Sequence, residues 1–204
     1  MENLKKIVSF FFEITHLKRL KRSGWSLLGI EKTDSVAEHC FVAAQIAYLL
    51  AKMEKADAEH AAVITLFHDN GEARIADLNL VQNYYLKAKK AEKRAFFDQI
   101  KSLPSSEDLW CLFKEFEEGV TSEAIIAKDA DRLELAVQAK CYLDMGSNKS
   151  VQNWIERVRS LLKTKSARHL LNVVEESNMN EWWRTVKGIR EERKKVEHIL
   201  GKSM

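Results

Sequence analysis

The stretch SVAEHCFVAAQIAYLLAKM, residues 35–53, decides the fold class of this 204-residue chain. Glu38 follows Ser35 by three residues, which is the pattern of a capping box at the start of a helix. Apolar side chains then recur at helical spacing, so we predict one helix from Val36 to about Met53. The inward stripe of this helix consists of His39, Ala43, Ile46 and Leu50. The pattern therefore predicts a buried helix that carries an ionisable side chain.

Helical spacing recurs along the rest of the chain. We expect further helices at residues 3–20, 58–69, 83–101, 107–118, 121–144, 151–163, 167–176 and 179–199. Asn70-Gly71 is the predicted stop of the second of these. With 7 Gly and 1 Pro, the chain has too few turn residues for an all-β fold. The composition predicts an all-α fold, and the length favours one compact domain over residues 1–204.

The charge is well mixed, with 33 basic and 30 acidic side chains and a net charge of +3. This balance does not indicate a nucleic-acid partner, and we interpret the lysines at 87–94 as a solvated helix face. The three cysteines are far apart without a CxxC pair, which is typical of reduced thiols. No apolar run reaches the ~18 residues of a membrane span. The sequence thus predicts a cytoplasmic protein without a membrane or nucleic-acid partner.

A few ionisable residues lie on helix faces that are otherwise apolar. His39 is one, and taken alone it is better explained as a hydrogen-bonded core histidine. His68 extends the stripe of Ala61 and Ile64, and Asp69 follows it directly. Burying such a pair without a partner is costly, and a divalent cation supplies one, since imidazole and carboxylate both bind first-row metals. An ordinary helix end facing water is the alternative for this pair.

The segment IIAKDADRLELAV, residues 125–137, brings two more carboxylates into an apolar helix. Asp131 shares a face with Ala124, Ala127 and Leu135. Asp129 shares one with Ile125, Ile126, Leu133 and Ala136. Periodicity alone does not choose the metal ligand between the two aspartates. For the other aspartate, the alternative is a salt bridge to Arg132 or Lys128.

The motifs SVAEH, FHDNGE and KDADRLE together resemble the HD-domain phosphohydrolase superfamily, which is defined by the order His, His-Asp, Asp. The resemblance implies that His39, His68, Asp69 and Asp131 bind the metal. The aspartate of the superfamily's "AD" pair selects Asp131 over Asp129. It also implies an all-helical domain with the metal at its centre. The expected cofactor is one divalent transition metal such as Mn²⁺ or Co²⁺.

Within the superfamily, GW after a basic stretch, TDSVAEH, HDNGEARIADL and KDADRLE look like the 5′-deoxynucleotidase branch. The likeness spans about residues 15–145, with helices at about 150–200 expected to pack on this core. It implies that Arg22 binds the substrate phosphate and that Trp25 packs against the deoxyribose, with core packing as the alternative for Trp25. Glu72 and Asp77 would share activation of water and protonation of the leaving oxygen, in either order. The branch also implies a homodimer and a nucleotide substrate.

Three departures from the branch pattern bear on nucleotide preference and leave the metal ligands unchanged. Ala76-Asp77-Leu78 replaces Gly-Asp-Leu, and the following NLVQNYY lacks the proline and lysine found in some members. Ser23-Gly24 separates Arg22 from Trp25, which are adjacent in some members. Another phosphoester therefore stays open as the substrate: a cyclic nucleotide, an alarmone or a deoxynucleoside triphosphate. A noncatalytic helical module with a metal site and a nucleic-acid-binding helical protein are the remaining alternatives.

Overall fold

The computed structural model describes residues 1–189 of the chain, and within that range the regular elements are all helical. The helices are α1 (Glu2–Ile14), α2 (Val36–Glu54), α3 (Ala58–Phe67), α4 (Glu72–Ile75), α5 (Leu80–Tyr85), α6 (Ala88–Ile100), α7 (Ser106–Glu118), α8 (Ser122–Asp144), α9 (Gln152–Leu161), α10 (Lys165–Glu176) and α11 (Glu181–Arg184). Three 3₁₀ segments join them, at Thr15–Lys18, Ser23–Leu28 and Lys149–Val151. The predicted all-α class is confirmed.

The predicted capping box sets the start of α2. Ser35 Oγ accepts a hydrogen bond from the Glu38 backbone N–H at 3.2 Å, and the Ser35 N–H donates to Glu38 Oε2 at 2.6 Å. The preceding chain returns alongside, because the Val36 N–H donates to the Leu20 carbonyl and the Arg22 N–H to the Asp34 carbonyl. These bonds hold Arg22 beside the first turn of α2.

Helices α2, α3 and α8 pack against one another and form the centre of the fold. Their facing surfaces bury small and branched apolar side chains. The later helices α9 and α10 pack against α8. The largest cluster includes Leu50, Ala61, Ile126, Leu133, Ile155, Val158 and Leu171. Several of the buried residues on these three helices are alanines, whose small side chains allow closely packed helix backbones. That the whole chain is one domain stays a prediction.

The structure changes several predicted helix boundaries. The helix predicted over residues 83–101 is two helices, α5 and α6, because the backbone is extended at Leu86 (ψ 146°) and turns at Lys87 (ψ 58°). Asn79 caps the first of them through its side-chain oxygen. The helix predicted over 3–20 ends at Ile14 and continues as a 3₁₀ segment. Apolar periodicity does not register such local changes of backbone.

Two other boundaries differ at the ends of helices. The helix predicted over 58–69 ends at Phe67, so His68 and Asp69 lie in the turn that follows rather than on the helix. The helix predicted over 179–199 is described only in part: α11 ends at Arg184, and residues 190–199 lie outside the described range. Among residues 1–189, no helix is both long and apolar enough to cross a bilayer.

Candidate metal centre

Three predicted ligands meet where α2, α3 and α8 converge. His39 comes from the first turns of α2, and His68 and Asp69 come from the end of α3. All three are buried, and one ligand atom of each lies within 4.8 Å of the others. Asp131 of α8 completes the group: its Oδ1 lies 3.2 Å from His39 Nε2 and 3.8 Å from His68 Nε2. The structure thus brings together the four residues that the motifs singled out.

Each imidazole is held by its other nitrogen. His39 Nδ1 lies 2.5 Å from Glu134 Oε2, and His68 Nδ1 lies 2.6 Å from the Thr65 carbonyl oxygen. Both acceptors favour a proton on Nδ1 and leave the Nε2 lone pair directed at the centre. Among residues 1–189, both Nε2 atoms are buried without a hydrogen-bond partner. Two unpartnered nitrogens facing two carboxylates are a donor set that fits a divalent cation.

The charges around the histidines follow from this arrangement. Burial opposes protonation of His39, but Asp131 and Glu134 raise its pKa to about 9. Burial likewise opposes the charge on His68, and Asp69 is the main group that raises its pKa. Because a metal binds the neutral imidazole, loading the site would displace these protons.

The geometry separates Asp131 from Asp129, which periodicity left open. The Asp129 carboxylate accepts the Lys163 N–H and the Thr164 N–H, at 2.7 to 3.1 Å, and pairs with Arg132 at 3.4 Å. It is fully buried and faces the link between α9 and α10. Asp129 therefore anchors that link, and Asp131 faces the histidines.

We expect Asp129→Ala to destabilise the fold without removing the metal. The variant leaves the Lys163 and Thr164 N–H groups without their acceptor, and hydrogen bonds to a charged group are worth roughly 1.5–3 kcal/mol each. The free energy of unfolding, measured by urea titration, should fall by about 3 kcal/mol, while metal content measured on the folded variant stays stoichiometric. Asp131→Ala should keep its free energy of unfolding and lose the metal. A stable Asp129→Ala variant that no longer binds metal would reverse the assignment.

An arginine and a second carboxylate lie on one side of the centre. Arg22 Nη1 lies 3.2 Å from Asp69 Oδ2 and 4.0 Å from Asp77 Oδ1. The other oxygen of Asp77 accepts the Ser23 N–H at 2.5 Å. Burial opposes the charge of Arg22, but Asp77 and Asp69 together raise its pKa above the ordinary value. Arg22 is thus a fixed cation, placed between a predicted ligand and the predicted catalytic Asp77.

The turn before Asp77 adopts a backbone conformation that normally requires glycine. Ala76 has φ +65° and ψ 166°, a region that side chains with a Cβ rarely occupy. This is the position where the 5′-deoxynucleotidase pattern has glycine and this chain has alanine. Ala76 therefore differs from the pattern in residue type, but its backbone adopts a conformation typical of glycine.

Glu72 begins α4, three residues after Asp69. Its Oε2 is buried, and it has no hydrogen-bond partner within residues 1–189. Burial, followed by the charges of Asp69 and Asp77, raises the pKa of Glu72 well above its ordinary value. A buried carboxyl with a raised pKa beside candidate metal ligands is a candidate for proton transfer.

A cavity of about 120 Å³ opens next to Arg22 and Asp77. Trp25 lines part of it, but that side chain is only 1% exposed and packs between Tyr142 and Trp154, with ring centroids 5.0 and 5.3 Å away. Core packing, one of the two interpretations of Trp25, is therefore what the structure shows for most of its surface. Leu135 also lines the cavity.

The sequence interpretation missed two acidic groups near the centre. Glu134, which holds His39, lies one turn after Asp131 on the same side of α8, so its spacing in KDADRLE could have indicated it. Glu92 of α6 is the other: burial and then the charge of Asp69 raise its pKa to about 8. Nothing in the charged sequence around Glu92 distinguishes it from its exposed neighbours. It is the fold of α6 over the His-Asp turn that brings it close, with its backbone packed on Gly71.

Comparison with known proteins agrees with the geometry. The model of the HD domain family matches residues 14–174, which include all four predicted ligands. A Schizosaccharomyces pombe protein named 5′-deoxynucleotidase hdd1 is 30% identical over 139 residues, covering 65% of this chain and 70% of the relative. A Xenopus laevis protein named 5′-deoxynucleotidase HDDC2 is 26% identical over 144 residues, covering 69% of this chain and 71% of the relative.

Solved structures share the fold. A conserved hypothetical protein from Pyrococcus furiosus superposes with a TM-score of 0.71 at 31% identity, covering 83% of this chain and 99% of that one. A protein from Magnetospirillum magnetotacticum, described as a predicted metal-dependent phosphohydrolase, superposes with a TM-score of 0.66 at 22% identity over 86% and 95% of the two chains. The second likeness supports the fold alone.

Proposed function

This chain belongs to the HD-domain family, and from that premise we propose that it is a metal-dependent phosphohydrolase that converts deoxyribonucleoside 5′-monophosphates to deoxynucleosides and phosphate. The observation that carries the proposal is the pair of buried Nε2 atoms of His39 and His68, which face Asp69 and Asp131 and have no hydrogen-bond partner in the described part of the chain. The substrate class follows from the relatives named 5′-deoxynucleotidase and from a cavity beside Arg22.

We assign the metal to His39, His68, Asp69 and Asp131. Two imidazole nitrogens and two carboxylate oxygens suit Mn²⁺, Co²⁺, Fe²⁺, Ni²⁺ or Zn²⁺, whereas Ca²⁺ prefers shells made only of oxygen. Glu134 and the Thr65 carbonyl orient the histidines as supporting groups. When bound, the ion supplies Lewis acidity to the phosphoryl group and acidifies water.

Arg22 is proposed to bind the substrate phosphate. Its guanidinium carries a fixed charge and planar donors, which match the oxygens of a phosphate group. The contacts to Asp69 and Asp77 hold it at the edge of the cavity. Because Arg22 contacts Asp69 directly, phosphate and metal would be bound side by side.

Glu72 is proposed to take or orient the proton of the attacking water, because its buried oxygen has no competing hydrogen bond. Asp77 is proposed to protonate the leaving 5′-oxygen or to steer that proton, and the two roles remain exchangeable. The contacts of Asp77 also give it a positioning part, since it joins Arg22 to the Ser23 backbone. Phosphoryl transfer depends mainly on such positioning and charge stabilisation.

Replacing Arg22 with alanine should mainly raise KM. Loss of a charge-assisted contact of roughly 1.5–3 kcal/mol corresponds to an increase in KM of about ten- to a hundredfold. Steady-state kinetics on a deoxyribonucleoside 5′-monophosphate measures the change, and Arg19→Ala, an exposed arginine on the same segment, is the matched control. Unchanged KM in Arg22→Ala would remove this residue from the phosphate site.

The function is tested by phosphate release from deoxyribonucleoside and ribonucleoside 5′-monophosphates. Metal-stripped protein is assayed with Mn²⁺, Co²⁺, Mg²⁺ or no added metal, and His68→Ala is the control. Metal-dependent release that favours the deoxy series and is absent in His68→Ala supports the proposal. Release only from a cyclic nucleotide, an alarmone or a deoxynucleoside triphosphate would keep the enzyme class and change the substrate. Stoichiometric metal without release from any of these esters would indicate a noncatalytic module.

A homodimer in a reducing compartment is proposed on two surface features. Helix α1 exposes four large apolar side chains: Leu4, Val8, Phe11 and Phe12. An exposed apolar helix face is typical of an interface between subunits. Cys40, Cys111 and Cys141 are all free thiols, and Cys111 is exposed, which favours the cytoplasm. Light scattering on the purified protein measures the subunit number.

A further inference from the structure

We propose that Trp154 of α9 is the specificity-determining aromatic side chain of the nucleotide site. In this role its ring packs against the nucleoside part of the substrate and distinguishes nucleotides from other phosphate monoesters. The proposal rests on the function proposed above and extends it to a residue outside the shared motifs. Trp154 lines the cavity that begins at Arg22 and Asp77.

Trp25, the tryptophan that the motif indicates, has little surface to offer a ligand. It is 1% exposed, and its ring meets Tyr142 edge-on at 5.0 Å and Trp154 at 5.3 Å with an interplanar angle of 31°. Trp154, in contrast, is partly exposed and also lines the cavity. The aromatic surface available to a substrate therefore belongs mainly to Trp154.

The position of the Trp154 ring is set by Gly24. A Cβ on Gly24 would lie 2.8 Å from Trp154 Cη2 and 3.2 Å from Cζ3, so only glycine lets the ring rest on this part of the backbone. Gly24 is one of the two residues that separate Arg22 from Trp25. Gly24 thus makes room for the ring of a side chain from α9, two residues along the chain from the proposed phosphate-binding arginine.

The residues that line the cavity indicate what the ring would contact. A phosphate held by Arg22 would leave its ester group beside the same cavity, whose lining includes Trp154 and Leu135. Flat, apolar walls of this kind stack on bases and on the apolar faces of sugars. A small ester such as glycerol 3-phosphate would be bound at the phosphate and would not reach the ring.

The test compares deoxyadenosine 5′-monophosphate with glycerol 3-phosphate on metal-loaded enzyme. Trp154→Ala should lower kcat/KM for the nucleotide about tenfold, mainly through KM, because stacking on one aromatic residue is typically worth that much. The value for glycerol 3-phosphate should stay unchanged, and Trp154→Phe should restore most of the nucleotide activity. Equal loss on both esters, or no loss on either, would overturn the proposal.

A second variant guards against a purely structural effect. Gly24→Ala keeps the Trp154 residue but displaces its ring, because the added Cβ would collide with it. The same selective loss of kcat/KM on the nucleotide is expected. Trp182→Ala is the matched control, because Trp182 is 74% exposed on α11 and does not line the cavity. If Gly24→Ala and Trp154→Phe both behave as the wild type while Trp154→Ala loses activity on both esters, the role of Trp154 is structural.

Binding measurements separate failure of this proposal from failure of the proposed function. Calorimetry with metal-loaded protein gives the Kd of deoxyadenosine 5′-monophosphate and of inorganic phosphate. If neither ester is hydrolysed, the proposed function fails. The role of Trp154 then still stands if the nucleotide binds more tightly than phosphate and Trp154→Ala abolishes the difference. Equal Kd values for the two in the wild type would overturn it.

Discussion

Glu72→Ala is expected to keep its metal and to lose about a hundredfold or more in kcat, the amount that a positioned proton-transferring group typically contributes. Glu72 begins α4 after the His-Asp turn, and its buried Oε2 makes no hydrogen bond to another residue within the described range. Removing this oxygen therefore breaks no hydrogen bond to a predicted ligand within the described range. Metal content and kcat, measured on the same preparation, check the result.

Glu72→Gln is the matched variant, since it keeps the shape of the side chain and removes its ability to exchange a proton. It should lose as much turnover as Glu72→Ala does. Near-normal kcat in either variant with intact metal would show that Glu72 has another role. Loss of the metal in Glu72→Gln would instead assign this side chain to the metal site.

Asp69→Ala is expected to lose both the metal and all measurable turnover. Asp69 Oδ1 lies 3.2 Å from His68 Nε2, and its Oδ2 lies 3.2 Å from Arg22 Nη1, so one carboxylate serves the proposed metal and the proposed phosphate-binding residue. Loss of a supporting group alone typically lowers metal affinity about 10–100-fold, and loss of a direct ligand should exceed that. Competition with a chelator of known affinity measures the change.

Asp129→Ala is the control for Asp69→Ala, because it also removes a buried aspartate but one that bonds the Lys163 and Thr164 backbone. The two variants should lose different properties: Asp129→Ala loses stability, and Asp69→Ala loses metal. If Asp69→Ala binds metal as the wild type does, the assignment of Asp69 as a ligand is wrong.

The all-α class was predictable because apolar spacing and the Ser35–Glu38 capping box both depend on local sequence. The separation of α5 from α6 was not, since the break in helical backbone at Leu86 and Lys87 has no glycine or proline to mark it. Sequence patterns record which face of a helix is apolar. They do not record where the backbone leaves the helical conformation for a reason set by packing.

The candidate site was likewise predictable from the sequence only in part. The motifs indicated the four proposed ligands, whereas the choice of Asp131 over Asp129 required either the family pattern or the contacts to Lys163 and Thr164. Glu134 contacts His39, which lies 95 residues earlier in the chain, and Trp154 contacts Gly24, which lies 130 residues earlier. Contacts between such distant positions depend on how α2, α8 and α9 pack, and one sequence alone does not contain that information in readable form.

The alanine at position 76 gives the turn before Asp77 a different conformational entropy from that of a glycine in the same place. A Cβ in the left-handed region costs roughly 1–3 kcal/mol of strain in the folded state. The same Cβ reduces the number of conformations open to the turn, both in the unfolded chain and in local excursions of the native state. Less conformational freedom would then remain to be lost on binding a substrate at the proposed site beside Asp77 and Arg22. The alanine thus lowers the stability of the folded state and restricts the conformations of the turn before a ligand binds.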